Sequence, residues 1–436
     1  MTKKFMEQIL NFLAFSWMMV LVYSKDVLAD QTSQPKLDTG DTAWMLISSA
    51  LVMFMTIPGL ALFYGGLAKK KDVLNTIAMS FVAYCIVSLL WVIYGYSLSF
   101  SGDIKGMIGN FDKILLKGIS IDSLQGTIPE VLFCMYQLTF AGITVALISG
   151  AYIERIKFSA WIIFSVLWMS LVYIPVAHWV WGGGFLSKLG ALDFAGGTVV
   201  HVNAGIAALV GALILGKRKK NYLLPNNLTL VVIGSGILWF GWFGFNGGSA
   251  VASNGLAAQA FLNTNLACAV AALAWMVTEW MITKKPTLLG IASGIVAGLV
   301  AITPAAGFVN VFGAMVIGIL AGGLSFFSVT AMKSKLGYDD ALDVFGIHGV
   351  AGIIGAILTG VFADPSINEL GKGLLYGNPN QVLIQILAVL ITIVYTALMT
   401  GIIFLVIRLF MKIRVSDEEE TTGLDSTQHG EKAYNF

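Results

Sequence analysis

Asp193-Phe-Ala-Gly-Gly-Thr-Val-Val-His201-Val-Asn-Ala-Gly205 opens an apolar segment that continues to Leu215. An acid stands at its start, and a histidine follows two helical turns later. Ionisable groups within a bilayer are costly, so they face a cavity or a partner and mark a function. The sequence supplies the partner. His201-Val-Asn-Ala-Gly205 recurs as His348-Gly-Val-Ala-Gly352, and Asp343 precedes His348 much as Asp193 precedes His201. The chain has four histidines, and two of them share this His-x-x-Ala-Gly frame.

The surrounding composition is that of a membrane protein. Of 436 residues, 57% are apolar and 11% charged, where a soluble domain carries about a quarter charged residues. Long apolar runs without alternating short strands specify an all-α polytopic bundle. Forty-eight glycines allow close helix approach. A net charge of +2, with no basic domain, excludes nucleic acid as a partner. Cys85, Cys134 and Cys268 are scattered in apolar segments, which argues against a disulfide framework or a zinc site. Gly211 to Lys217 imitates a phosphate loop, but Arg218 stands where Ser or Thr is needed and the spacer is apolar.

Residues 1–29 read as a secretory signal: Lys3 and Lys4, an apolar stretch from Ile9 to Tyr23, then Val27-Leu28-Ala29. Glu7 is atypical there, and a retained helix is the alternative. Residues 30–40 are expected to form a short external tail, 41–414 the membrane-spanning body, and 415–436 a cytoplasmic tail. Within the body eleven spans are expected, at 41–67, 73–100, 127–150, 158–180, 197–216, 228–246, 256–282, 287–304, 310–332, 342–363 and 382–411. Loop charge supports the count. With the amino end outside and the carboxyl end inside, the inner side collects sixteen lysines and arginines and the outer loops five. Eleven divides into five, five and one, with His201 in the fifth span and His348 in the tenth. An odd repeat inverts its copy, so both histidines lie near the midplane where the halves meet.

Other residues carry weaker signals. Asp193 suits a helix N-cap better than a cation contact. Trp181, followed by three glycines, is either an interface anchor or the wall of an outer vestibule, where an indole face can hold a small cation. Trp239-Phe-Gly-Trp-Phe-Gly-Phe-Asn-Gly-Gly-Ser249 is either aromatic packing or a pore element, with Phe245 at a constriction and Ser249 as a hydroxyl acceptor. Tyr136, Gln137 and Phe140 are equally open. No nucleophile–base–orienter set and no metal-ligand cluster is visible, so neither an enzyme nor a metal or other cofactor is expected.

Together these residues resemble the ammonium transporter family, Amt, related to the Rh proteins. The resemblance runs from Leu62-Phe-Tyr-Gly-Gly66 to the Gly-Leu-Asp and His-Gly-Glu tail, and Trp181 places it nearer Amt than Rh. It implies a homotrimer with one hydrophobic pore per subunit, in the inner membrane. It implies an outer ammonium site at Trp181, Phe140 and Ser249, supported structurally by Asp193. It further implies stacked gates at Phe140 and Phe245, paired pore histidines at His201 and His348, and Thr303 lining the pore. Tyr136 departs from the family pattern, which often has Phe. The tail resembles those on which bacterial members dock a PII-type regulator. The competing class is an ammonium sensor signalling through the tail; a neutral-solute channel gains nothing from an aromatic cation site.

Overall fold

The computed structural model describes residues 36–219 and 225–434. The expected signal segment and most of the external tail lie outside these residues. Ten described helices are long and apolar enough to cross a bilayer: α1 (Thr39–Leu67), α2 (Val73–Phe100), α3 (Glu130–Tyr152), α4 (Phe158–Leu189), α5 (Gly197–Leu215), α6 (Leu228–Ala250), α7 (Gly255–Thr283), α9 (Val311–Leu336), α10 (Phe345–Phe362) and α11 (Asn380–Phe410). Between α7 and α9 lies α8 (Leu288–Ile302), an apolar helix of 15 residues. Two short strands, Leu124–Gln125 and Ile128–Pro129, pair in the loop before α3.

The expected span 287–304 is present as this shorter helix, and ten helices among the described residues have full spanning length. Pro304 explains the early stop, since it lacks an N–H and clashes with the carbonyl one turn back. The chain then turns, and the Pro304 carbonyl accepts the Phe194 N–H at 3.1 Å. The truncated end of α8 thus abuts the entry to α5.

Bundle polarity is reversed relative to a soluble protein. On α11 the outward stripe is Leu383, Leu390, Val394, Leu398, Leu405 and Leu409. Its inward stripe carries Gln381, Gln385, Thr392, Thr396 and Thr400. With hydrocarbon outside, polar groups find partners only inward. Thr396 donates to Asn203 Oδ1 at 2.7 Å, Thr400 accepts the Trp168 indole N–H at 3.1 Å, and Gln385 brackets Leu192 through both its N–H and C=O at 2.7 Å. The Asn of His-Val-Asn therefore ties α5 to α11, and Gln385 pins the loop that delivers Asp193.

The two halves meet through the repeated motif. Both α5 and α10 begin with a π-helical turn, Gly197–Val202 and Phe345–Gly349, each containing its histidine. Such turns recur at functional sites because they displace a side chain from the regular helix face. A Cβ on Gly205 would lie 3.2 Å from the His348 carbonyl carbon, and one on Gly352 would lie 3.2 Å from His201 Cβ. Each glycine thus seats the histidine segment of the other half.

One expected pairing is corrected. The counterpart of Asp193 is Asp340, not Asp343: both stand eight residues before their histidine. Asp193 accepts the N–H groups of Gly196, Gly197, Thr198 and Val199 at 2.6–3.1 Å, saturating the start of α5. Asp340 accepts the Phe345 N–H at 2.7 Å at the start of α10. Asp343 has a left-handed backbone, φ 59°, and pairs with Lys333 at 2.6 Å.

At the basic end of the bundle, buried ion pairs join loops from both halves. Arg218 forks onto Asp339 at 2.8 and 3.0 Å and reaches Glu154 at 3.1 Å; Glu154 also holds Lys69. Burial alone would raise the Asp339 carboxyl, but the Arg218 guanidinium outweighs it and holds the pKa at about 2. The tail folds onto this end as α12 (Asp417–Thr422) and α13 (Leu424–His429). Ser416 and Glu419 form a reciprocal capping box on α12. Asp72 accepts the Leu424 N–H at 2.7 Å, Asp425 accepts the Asn75 N–H at 2.8 Å, and His429 packs edge-on against Phe158.

Candidate functional site: an aromatic and histidine column

The residues singled out by sequence form one continuous column, supplied by α3, α4, α5, α6 and α10. Trp181 lies at its half-buried end, at the break within α4 where the helix stops at Val180 before resuming at Phe185. Its indole N–H donates to the Asp193 carbonyl at 2.9 Å, so the loop that caps α5 also orients the tryptophan. The Asp193 carboxylate is taken up by four backbone donors, which answers its two readings in favour of the cap.

Beneath Trp181 stands Phe140, edge-on at 5.8 Å between ring centroids. Phe140 in turn lies against Phe245 at 4.2 Å with planes 33° apart. Both phenyl rings are fully buried, and together they close the column. Phe245 reaches this position because α6 changes to a π-helical turn at Phe243–Gly247.

Below the rings come the imidazoles. His201 stacks beneath Phe245 at 5.9 Å and on Trp242 at 5.3 Å. His348 follows at 5.3 Å, with the two Nδ1 atoms 3.3 Å apart. One Nδ1 must carry the proton and the other a lone pair, so the two rings hold complementary tautomers. His201 Nε2 is buried without a hydrogen-bond partner among the described residues. A deprotonated, neutral pair fits these walls, since an imidazolium here would be an uncompensated buried charge.

The remaining expected residues join this column unequally. Ser249 Oγ donates to the Phe245 carbonyl at 2.8 Å, which leaves its lone pairs to accept. Tyr136 packs edge-on against Phe140 at 4.9 Å and places its hydroxyl 3.2 Å from Ser249 Oγ. The same hydroxyl donates among the Gly244 and Phe245 carbonyls at 2.9 and 2.8 Å. Tyrosine in place of phenylalanine thus adds a tie between α3 and the π-helical turn. Thr303 is indirect: it accepts the Trp242 indole N–H at 2.9 Å and donates to the Leu299 carbonyl at 2.7 Å. Gln137 has a buried amide oxygen without a hydrogen-bond partner among the described residues.

Trp242 received no role from the sequence, although it walls His201. Its signal was present in the spacing: it precedes Phe245 by three residues and therefore shares its helix face. Gln385, which positions the Asp193 loop from across the bundle, had no local signal.

Comparison with known proteins agrees with this geometry. A model of the Ammonium Transporter Family matches residues 43–434. The chain belongs to the ammonium transporter family. It is 63% identical to an ammonium transporter of Aquifex aeolicus over 405 residues, covering 93% of this chain and 95% of that one. The crystal structure of Saccharomyces cerevisiae Mep2 superposes with a TM-score of 0.81 at 38% identity, covering 88% and 89% of the two chains. A solved structure described as a Sensor Amt Protein superposes with a TM-score of 0.83 at 27% identity, covering 89% and 98%. The transporter family therefore accounts for nearly the whole described body, column and tail together.

Proposed function

We propose that this ammonium transporter captures the cation at Trp181, Phe140 and Ser249, that the cation gives up its proton at the Phe140–Phe245 gate, either to water on the Trp181 side or to the imidazole pair, and that ammonia is conducted past His201 and His348. The observation that carries this reading is the unbroken sequence of rings from Trp181 to His348. Ammonium and potassium have the same charge and similar size, but ammonium has four N–H donors and potassium none. A site of aromatic faces with one hydroxyl acceptor, Ser249, favours ammonium through that hydrogen bond. The closed apolar gate disfavours a bare cation by far more than such contacts return. The paired imidazoles present one donor and one acceptor to a neutral ammonia, and they can also pass a proton between them. Thr303 and Asp193 support the column through Trp242 and Trp181.

The remaining assignments follow the loop charges and the family resemblance. Trp181 faces outward, the basic end with α12 and α13 is cytoplasmic, and the chain sits in the inner membrane as a homotrimer. The folded tail offers a PII-type regulator an ordered surface at the same end as the pore exit.

The test is current in proteoliposomes of the purified protein after jumps of ammonium or potassium. Saturable current with ammonium and none with potassium supports selective electrogenic transport. Absence of current with protein-dependent internal alkalinisation supports electroneutral ammonia conduction. Absence of both favours the second reading, an ammonium sensor, which the likeness to the Sensor Amt Protein keeps in view.

A further inference from the structure

A third histidine, His178, lies outside the column and is fully buried in the last turn of the α4 segment that ends at Val180, three residues before Trp181. Its Nδ1 lies 3.0 Å from the Ser99 carbonyl oxygen and its Nε2 lies 3.1 Å from an Asp103 carboxylate oxygen. A carbonyl and an ionised carboxylate only accept, so both ring nitrogens must donate. Asp103 is ionised on the same evidence: it also accepts the Gly106 N–H at 2.6 Å and pairs with Lys188. Burial works against that charge, but Lys188 and His178 hold the Asp103 carboxyl below its usual range. A cation at the carboxyl end of a helix is further favoured by the helix dipole.

The contacts around this pair clamp the loop after α2 to the end of α4. The Trp179 indole donates to the Met107 carbonyl at 2.8 Å, and the Phe185 N–H donates to the Gly106 carbonyl at 3.0 Å. Gly182, the first glycine after Trp181, sits so close that a Cβ there would lie 1.9 Å from the Ser99 oxygen and 2.7 Å from His178 Nδ1. The backbone leaving Trp181 is therefore seated on the His178–Ser99 contact. The charged groups at this point are Asp103, from the loop after α2, and Lys188, from the end of α4.

We propose that His178 is held as an imidazolium by Asp103 and Ser99 and is a positioning residue for Trp181, coupling the outer ammonium site to external pH. The coupling to ammonium rests on the recruitment role given to Trp181 above. Its sign follows from the contacts. Loss of the proton turns a lone pair toward one of the two acceptor oxygens, which repels and loosens the clamp. Apparent affinity therefore falls as external pH rises, while the gate and the paired imidazoles below are untouched.

Nitrogen-15 NMR of histidine-labelled protein in lipid bilayers at pH 7 tests the charge. The expected result is one buried histidine with both nitrogens protonated, absent from His178→Gln protein. Four neutral rings, or a doubly protonated signal that survives His178→Gln, overturns the proposal. Transport tests the positioning. Asp103→Asn is expected to raise the half-saturation concentration of ammonium several-fold, to change maximal current less, and to flatten the wild-type dependence of half-saturation on external pH. Unchanged half-saturation and an unchanged pH profile overturn it. Trp181→Leu separates the two readings: if it leaves half-saturation unaltered, the recruitment role fails, while the NMR result stands on its own.

Discussion

His201 and His348 face each other across the interface of the two inverted halves with their Nδ1 atoms 3.3 Å apart. The contact depends on two helices that begin with π-helical turns and on the glycine that follows each histidine by one turn. It is a side-chain polar contact between two rings at the end of a column of aromatic side chains.

His201→Ala removes one member of this pair and leaves His348 Nδ1 without its partner. The variant is expected to fold at a cost in stability, because one buried ring among Trp242, Phe245 and His348 is replaced by a smaller side chain. Ammonium-driven current is expected to fall by at least about tenfold, equivalent to about 1.4 kcal/mol at the barrier. Normal current and selectivity in folded protein would remove the proton relay from the mechanism.

Trp181→Leu addresses capture rather than conduction. A cation over an indole gains about 0.5–2 kcal/mol, which corresponds to roughly 2- to 30-fold in apparent affinity. Half-saturation is expected to rise within that range, with maximal current much less affected. The measurement is current against ammonium concentration at fixed external pH.

Much of this arrangement was legible in the chain itself. The repeated His-x-x-Ala-Gly frame marked the two helices that meet. What escaped was set by tertiary contact. Pro304 shortens α8 because the turn after it abuts the entry to α5 at Phe194, a contact invisible in the local apolar run. Asp340 rather than Asp343 caps α10 because the left-handed backbone at Asp343 turns that carboxylate toward Lys333. Trp242 and Gln385 act on residues far from them in sequence, His201 and Asp193, and only packing reveals those pairs.

Gly205→Ala tests the crossing of α5 and α10. A Cβ at Gly205 would lie 2.3 Å from the Gly349 amide nitrogen and 2.4 Å from Gly349 Cα, so backbone must move. Overpacking of this kind costs about 1–3 kcal/mol, more than the helix propensity alanine returns. At Gly352 the nearest atoms are 3.1 Å away, and Gly352→Ala is expected to be milder. Thermal unfolding in detergent should rank Gly205→Ala below Gly352→Ala and both below wild type; equal midpoints would show that the crossing can slide.

The docking of the tail should depend on the pH at the basic end of the bundle through Asp72. Asp72 lies in the loop between α1 and α2, is 1% exposed, and accepts the Leu424 N–H. Burial pushes its pKa up from 3.8 to about 7, opposed by the Leu424 hydrogen bond and by Lys71. An Asp72 returned to water by release of the tail regains an ordinary carboxylate pKa, near 4. Between those two values the docked state holds a proton that the released state lacks. Docking is therefore strongest at acid pH, weakens as pH rises through that window by up to about tenfold per unit, and is flat above it. Spin labels at Glu431→Cys and Ser334→Cys, in a Cys85→Ala background, report the docked distance directly. The docked population is expected to be larger at pH 6 than at pH 8. Asp72→Asn, uncharged throughout but still able to accept the Leu424 N–H, should erase that dependence. If the population at pH 8 equals that at pH 6 in wild type, Asp72 does not titrate on docking, and the tail is held by the ion pairs of Arg414 and Lys219 instead.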